Sequence, residues 1–530
     1  MIKKILKLTA TLRALRIVNP VEAGLADFFR RRAKSPAAAK PVLLVQCAED
    51  PFYFGVFGAI ASALRLHGPL RVEQLMFRSV NVAEAASWSR FFLNRVFVNA
   101  ITSEKWRVLY ASYCDAVAYR CNDLGDIVGD LFDLVRAYRV WRRLVRGTNV
   151  TTLEIGGVLV GDLVNDTYLR FKPAPTVDVA DRYMFHVIWQ AYRDVRRAQD
   201  YFSKRPPQLF LTSYSTYVQH GIPVRIALQH GVKVFAFGNY QEFCKQLTLQ
   251  DWMHTKFADT YAQDFAVLDS QQERLAEADA ALASRIAGKI DSATAYMKQS
   301  PYQERESLAV DASGAAVIFL HDFFDSPNVY YDMVFADFWE WACFTIETLQ
   351  KAGIRFLVKP HPNQIGLSGG VLDELKQRYP GTAFISSNIT NKQLVQAGVI
   401  CAVTAYGTVA HEMAYLGVPS VMCARHPHSS FGFCVTAKTR EQYRDALISC
   451  GNFGGDQSVM RNESLAFYYM HNLNHAHDEQ EFLEVLGVFR SHCADFFELE
   501  QVAGLKAELE SIFQMSAFRR HVKKFETCLS

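Results

Sequence analysis

The sequence predicts an α/β protein built from two Rossmann-like domains facing a cleft, with extra helices at both ends. Three observations carry this. The chain has 530 residues, enough for two domains. Half of them are apolar, which supplies large cores and excludes wholesale disorder. From Ala315 to Cys423, short apolar runs alternate with helix-like segments, the pattern of a parallel sheet covered on both faces.

Taken in order, residues 1–40 read as a basic arm. Ten Lys or Arg face only Glu22 and Asp27 there, a local charge of +8 within an overall +3. Ile2, Ile5, Leu6, Leu8, Leu12 and Leu15 recur roughly at helical spacing among the basic residues. That suits a helix on an anionic membrane surface through residues 1–34, or equally one packed on its own domain. Lys7, Arg13 and Arg16 interrupt the apolar residues, so the segment does not read as a secretory signal.

Residues 41–261 read as the first domain, with a helical insertion. Pro41–Cys47 is a buried strand, a loop with Asp50, Pro51 and Gly55 follows, and Ala59–Leu66 is a helix. Residues 86–148 look mostly helical. A strand at Leu209–Thr212, a helix near Tyr217–Leu228 and a strand at Val232–Phe237 complete the domain. Residues 262–312 read as a linker in which Ser270-Gln-Gln-Glu273 has the form of a capping box opening a helix to about Met297.

The second domain, 313–455, offers strands at Ala315–Leu320, Arg355–Lys359, Thr382–Ser386, Val399–Val403 and Val418–Cys423. Between them lie helices at Met333–Ala352, Val371–Arg378, Thr390–Ala397 and Thr408–Leu416, and a helix at Arg440–Ser449 should close the sheet. Residues 456–530 read as helices.

With the arm set aside, the body carries about −5, which argues against nucleic-acid binding. Eleven cysteines without a CxxC pair suit a reducing compartment, so a cytoplasmic protein is expected, with a peripheral contact at the inner membrane through the arm.

In an open parallel sheet, ligands bind beyond the carboxyl ends of the strands. The unusual residues of the second half fall there: His321 and Asp325, Lys359-Pro-His361-Pro-Asn363, Thr404-Ala-Tyr-Gly407-Thr408 leading to His411 and Glu412, and Arg425 with His426 and His428. Gly407 lets backbone approach a ligand, and Thr408 begins a helix whose free N–H groups attract anions. Lys359 and Arg425 supply positive charge for a phosphate, and His361 supplies a donor. Glu412 can accept from a ribose diol. Each loop alone has a plain structural reading; their convergence on one rim describes a nucleotide-sugar pocket. A P-loop and a well-placed GxGxxG are both missing from the sequence, which argues against an ATPase or a dehydrogenase.

Lys359-Pro-His-Pro362, followed by Thr404-Ala-Tyr-Gly-Thr-Val-Ala-His-Glu-Met-Ala-Tyr-Leu-Gly-Val-Pro419, resembles bacterial capsule and lipopolysaccharide glycosyltransferases of the GT-B fold. The nearest image is the capsule-synthesis group with retaining β-Kdo transferases, whose Lys-Pro-His-Pro loop binds the CMP part of CMP-Kdo. The resemblance covers roughly 315–425 well and the N-terminal half loosely. It implies a CMP-linked donor, a glycan or lipid-linked acceptor, and no cofactor. The His-Pro pair also occurs in sialyltransferases and in teichoic-acid glycerophosphotransferases.

For the reacting groups, Asp162 and Asp166 are four apart and share a face if their segment is helical; either suits a base or nucleophile, or a structural cap. His220 and His230 each precede glycine in expected turns facing the cleft, and His230 weakly resembles the His-Gly base of the glycerophosphotransferases. His426 and His428 lack a nearby third ligand, so no metal is expected. The rival readings are a nucleotide-sugar 2-epimerase, a glycerophosphotransferase, or a silent scaffold retaining the pocket.

Overall fold

A computed structural model describes residues 18–32, 41–76, 85, 87, 89–90, 99–120, 126–172, 174–239, 241–288, 302, 304–362, 366–453, 455–495 and 499–529. The apolar repeat Ile2–Leu15, Asn363 and the expected helix extension from 289 to Met297 lie outside the described residues. The chain divides into two units. The first comprises Met1–Phe171, Asp178–His254 and Ala476–Ser530; the second comprises Lys172–Val177 and Thr255–His475.

In the first unit, β1 (Val42–Gln46), β2 (Arg71–Met76), β3 (Ala116–Arg120), the hairpin strands β4 (Glu154–Ile155) and β5 (Val158–Leu159), β6 (Leu209–Thr212), β7 (Lys233–Ala236) and β8 (Lys245–Leu247) follow in sequence. The six-stranded sheet has the order β3-β2-β1-β6-β7-β8. All its pairs are parallel except β7 with β8. Asp50 opens the helix Pro51–His67 by accepting from the Phe52 amide at 2.7 Å, with Pro51 preset in the first turn. That helix is apolar on every side because helices from both chain ends pack on it. A Cβ at Gly58 would sit 2.6 Å from the Phe29 ring, and one at Gly55 2.8 Å from Phe489. Phe29 belongs to the helix Pro20–Arg30, the described part of the basic arm, which buries Val21, Leu25, Phe28 and Phe29 in the first unit's core.

In the second unit, β9 (Ala316–Phe319), β10 (Phe356–Lys359), β11 (Ala383–Phe384), β12 (Cys401–Val403), β13 (Ser420–Met422) and β14 (Cys434–Thr436) form one parallel sheet in the order β11-β10-β9-β12-β13-β14. Side chains alternate along β9 as a doubly covered strand requires. Ala316, Ile318 and Leu320 enter one apolar cluster, and Ala315, Val317 and Phe319 the other. With the hairpin set aside, both sheets have the strand order 3-2-1-4-5-6 of the doubly wound dinucleotide-binding fold. The chain therefore carries two Rossmann-type domains, the architecture of the GT-B class.

Four sequence expectations are corrected. Residues 86–148 contain the strand β3 between the helices Asn99–Tyr110 and Ile127–Leu144. The second sheet ends in β14, not in the helix Arg440–Ile448 that follows it. The strands β2 and β8 and the hairpin β4–β5 likewise have no counterpart among the sequence expectations. Of the sheet strands not expected, β3, β8 and β14 lie at sheet edges while β2 is interior, and all have short or mixed sequences. The Ser270 capping box is not formed: Ser270 is left-handed, at φ 53°, and its side chain caps nothing. The helix expected from Met333 begins at Phe338, because Asp337 caps the Glu340 amide at 2.8 Å.

Candidate functional site

Strands β10, β9, β12 and β13 are consecutive neighbours, so their carboxyl ends form a row roughly 14 Å long at ~4.8 Å per strand. The strand order reverses between β9 and β12, and the crevice at such a reversal is where ligands sit on open α/β sheets. His321 follows β9 on one side and Thr404 follows β12 on the other. Their side chains meet across the reversal, His321 Nε2 to Thr404 Oγ1 at 3.1 Å. The Gly407 amide donates to the same Thr404 hydroxyl at 3.1 Å, which closes the turn. A Cβ at Gly407 would lie 2.7 Å from Thr404 Oγ1 and 3.6 Å from His321 Nε2, so only glycine fits the turn as built.

His321 is held flat. Its ring stacks on Phe338 at 4.7 Å and 6°, and packs on Tyr406 at 4.7 Å. Burial, and then the neighbouring His361, push its pKa down to about 3, so at neutral pH the imidazole is uncharged. His361 is also pushed below its ordinary value, by burial and by Lys359, against an opposing pull from Asp322.

Lys359 ends β10 with its side chain only 6% exposed. Its ammonium donates to Asn391 Oδ1 at 3.3 Å and lies 5.5 Å from the Phe319 ring centroid. Burial lowers its pKa to about 8, with Glu412 opposing. Asn391 passes the connection on, donating from Nδ2 to Glu412 Oε2 at 2.9 Å, while Tyr302 donates to Glu412 Oε1 at 2.5 Å. Lys359, Asn391 and Glu412 thus form one buried chain that the half-buried Tyr302 closes. Asn391 was missed by sequence reading because nothing but its tertiary position marks it.

The remaining donor-site candidates are placed differently. Thr408 is exposed at the start of the helix Val409–Tyr415; it has helical backbone angles and makes no cap bond. Arg425 follows β13, but Asp259 holds it at 2.6 Å and Asp332 lies at 3.6 Å, while Phe257 packs under the guanidinium at 4.8 Å. Two carboxylates already balance its charge.

In the first unit, Asp162 and Asp166 do share a helix, Gly161–Phe171. The Asp162 carboxylate is gripped by both terminal nitrogens of Arg225, one contact measuring 2.7 Å. Arg225 also donates to the Leu159 carbonyl at 2.6 Å. Asp166 is fully buried on the same helix. His230 is the exposed C-cap of the helix Tyr217–Gln229, so it lies at the amino edge of the first sheet, before β7. The turn before Gly231 forms as the sequence predicts, but at the edge opposite the carboxyl ends of the strands. His220 and Gly221 lie within that helix, after β6 at the carboxyl edge, so the turn expected at His220 is corrected to helix.

His220 has companions there. The Ser215 hydroxyl lies 3.3 Å from His254 Nδ1 and accepts the His254 backbone N–H at 2.8 Å; Tyr214 packs edge-on between His254 and His220 at 5.0 and 5.9 Å. Burial presses both histidines down to about 3. The sequence cluster Thr212–Tyr217 was the available signal for this site; His254, remote in sequence, gave none.

His426 and His428 are neighbours at 3.9 Å between ring centroids, in an aromatic nest with His411, His471 and Phe467. Among the described residues, no group of three or more His, Cys, Asp or Glu is arranged to hold a metal ion. A cavity of about 740 Å³ lies in the first unit, lined by residues such as Arg71, Tyr119, Tyr201 and Arg205; none of the candidate residues contributes to it.

The chain matches no protein-family model and no curated protein. Among solved structures it is similar to UDP-GlcNAc 2-epimerase from Neisseria meningitidis bound to UDP-GlcNAc, at 10% identity over 80% of this chain and 97% of that one, TM-score 0.24. The Methanocaldococcus jannaschii UDP-GlcNAc 2-epimerase in complex with UDP-GlcNAc and UDP shares 8% identity over 79% and 97%, TM-score 0.23. A UDP-glucosyltransferase from Polygonum tinctorium shares 10% over 93% and 99%, TM-score 0.20. At such TM-scores the fold assignment rests on strand order, not on these superpositions.

Proposed function

We propose that the protein is a GT-B glycosyltransferase that holds a nucleotide-activated sugar at the carboxyl edge of its second sheet and passes the sugar to a glycan or lipid-linked acceptor hydroxyl. The observation that carries this reading is the bridged reversal point. His321, Thr404 and Gly407 form a rigid turn there, one strand away from a buried, charged Lys359 and its His361. Lys359 would neutralise the nucleotide phosphate, His361 would donate to a phosphate oxygen, and Glu412, behind Asn391, would fix the lysine. The Lys-Pro-His-Pro loop favours a CMP-linked, Kdo-like donor. In the transfer, the bond from the anomeric carbon to the phosphate oxygen breaks, the acceptor oxygen takes that carbon, and the acceptor proton passes to a base.

For that base, Asp162 is committed to Arg225 and His230 stands at the far edge of its sheet. The His220–His254 cluster, held to about 3 by burial, is too weakly basic to take that proton near neutral pH, so Asp166 is retained as the candidate carboxylate. Arg425 and Thr408 take lesser roles, as rim residues.

The test is calorimetric titration of CMP, UDP, GDP and dTDP into the wild-type protein and into Lys359→Ala/His361→Ala. Selective binding of CMP that falls at least tenfold in the double variant supports the reading. Equal affinities in the two proteins, or no binding of any nucleotide, count against it. Turnover of free UDP-GlcNAc without an acceptor would replace the transferase by an epimerase.

A further inference from the structure

The helix Ile127–Leu144 of the first unit carries its charges in an unusual arrangement. Its acidic residues point inward. Asp130 and Asp133 are buried against the helix Arg182–Lys204, where Arg193 reaches Asp130 at 2.7 Å and Arg196 reaches Asp133 at 2.6 Å and Asp130 at 2.9 Å. Ala137, Val140 and Leu144 complete this inner face.

The outer face is apolar where solvent would be expected. Ile127, Val128, Leu131, Phe132, Val135 and Tyr138 recur three or four apart and are each between 49% and 66% exposed. One turn further on, the exposed side chains are Arg136, Arg139, Arg142, Arg143 and Arg146. Among the described residues only Arg136 has an ion pair, with Asp133 at a distant 3.9 Å. Between Ile127 and Arg146, then, the solvent side holds large apolar groups and arginines and no carboxylate. A water-facing helix mixes both charge signs; this one has the composition of a helix lying in a membrane interface.

We infer that the outer face of Ile127–Leu144 is a docking surface for an anionic lipid bilayer, with Leu131, Phe132 and Val135 entering the acyl boundary and the arginines meeting lipid phosphates. The choice of occupant rests on charge complementarity: an apolar stripe alone would suit a second copy of the chain, but five arginines along one helix would repel their own copies across a two-fold axis. Residues 1–34 are not needed for this contact, and neither is the nucleotide reading.

Co-sedimentation of the full-length protein tests it, with vesicles of phosphatidylglycerol and phosphatidylethanolamine compared with vesicles of phosphatidylcholine. The wild type should sediment with the anionic vesicles only, and less so as salt rises. Leu131→Ser/Phe132→Ser and Arg139→Gln/Arg142→Gln should each lose about tenfold in partitioning. All four positions are exposed, so circular dichroism and CMP binding should stay as in the wild type. Lys3→Gln/Lys4→Gln/Lys7→Gln should keep most of the binding. The inference is overturned if the wild type ignores anionic vesicles, if the helix variants sediment like the wild type, or if only the Lys3/Lys4/Lys7 variant loses binding. Self-association abolished by Leu131→Ser/Phe132→Ser would also overturn it, by giving the face to a second copy.

Discussion

Replacing Lys359 with methionine separates a functional ion from a structural one. The ammonium is buried, its hydrogen bond to Asn391 is long at 3.3 Å, and its pKa falls from the ordinary 10.5 to about 8. At ~1.4 kcal/mol per pH unit, this fall of about 2.5 corresponds to roughly 3 kcal/mol spent keeping the charge inside the fold. Methionine keeps most of the stem and removes the charge. Lys359→Met should therefore stabilise the protein by about 1–3 kcal/mol near neutral pH, measured by urea denaturation. The same change removes a charged contact to phosphate, worth about 1.5–3 kcal/mol, or roughly tenfold to a hundredfold in nucleotide affinity by calorimetry. Greater stability with weaker binding is the signature of a group kept for its ligand. A destabilised variant with unchanged affinity would refute the reasoning and make Lys359 a structural residue.

Nucleotide affinity should also decline as pH rises through about 8, where Lys359 loses its proton, and calorimetry across that range checks it. Gly407→Ala should cost at least tenfold in affinity, because the new Cβ displaces the Thr404 hydroxyl from its bonds to His321 and the Gly407 amide; wild-type affinity would show that the turn is not part of the site. Asp162→Ala should destabilise the first unit by about 3 kcal/mol in urea by leaving Arg225 buried without its carboxylate, and an unchanged midpoint would count against that role. Acid should weaken the fold steeply. His220, His254 and His321 are held to about 3, and His411, His426, His428 and His471 also lie well below the ordinary 6.5. The unfolded chain takes up these protons as pH falls below about 6.5 and the folded chain does not, so their contribution is full above that value and lost on descending toward 3. A urea midpoint that stays flat between about pH 7 and about pH 5 would contradict this.

The second domain was legible because its strands are buried on both faces. Ala315–Leu320 and Val399–Val403 are uninterrupted apolar runs, and the polar residues that end them mark the rim directly. Strands of mixed sequence carry no such mark: Cys434–Thr436 is bonded on one side and half exposed, Ala116–Arg120 hides between helices, and Arg71–Met76, though interior to its sheet, carries Arg71, Glu73 and Gln74. At the site, Lys359, His321, Thr404 and Gly407 could be read from strand ends, since a parallel sheet fixes where those ends go. Pairing could not be read. Arg225 against Asp162, 63 residues apart, and Asp259 against Arg425, 166 apart, are tertiary facts that change what each residue is free to do. His230 shows a further limit: a His-Gly pair signals a turn but not which edge of the sheet the turn occupies.

The most direct measurement is a crystal structure of the protein grown with CMP. The account predicts the phosphate within hydrogen-bonding distance of Lys359 and His361, beside the Thr404–Gly407 turn, with the nucleoside beyond the ends of β9 and β12. Nucleotide bound elsewhere, or an untouched rim at saturating CMP, would contradict it.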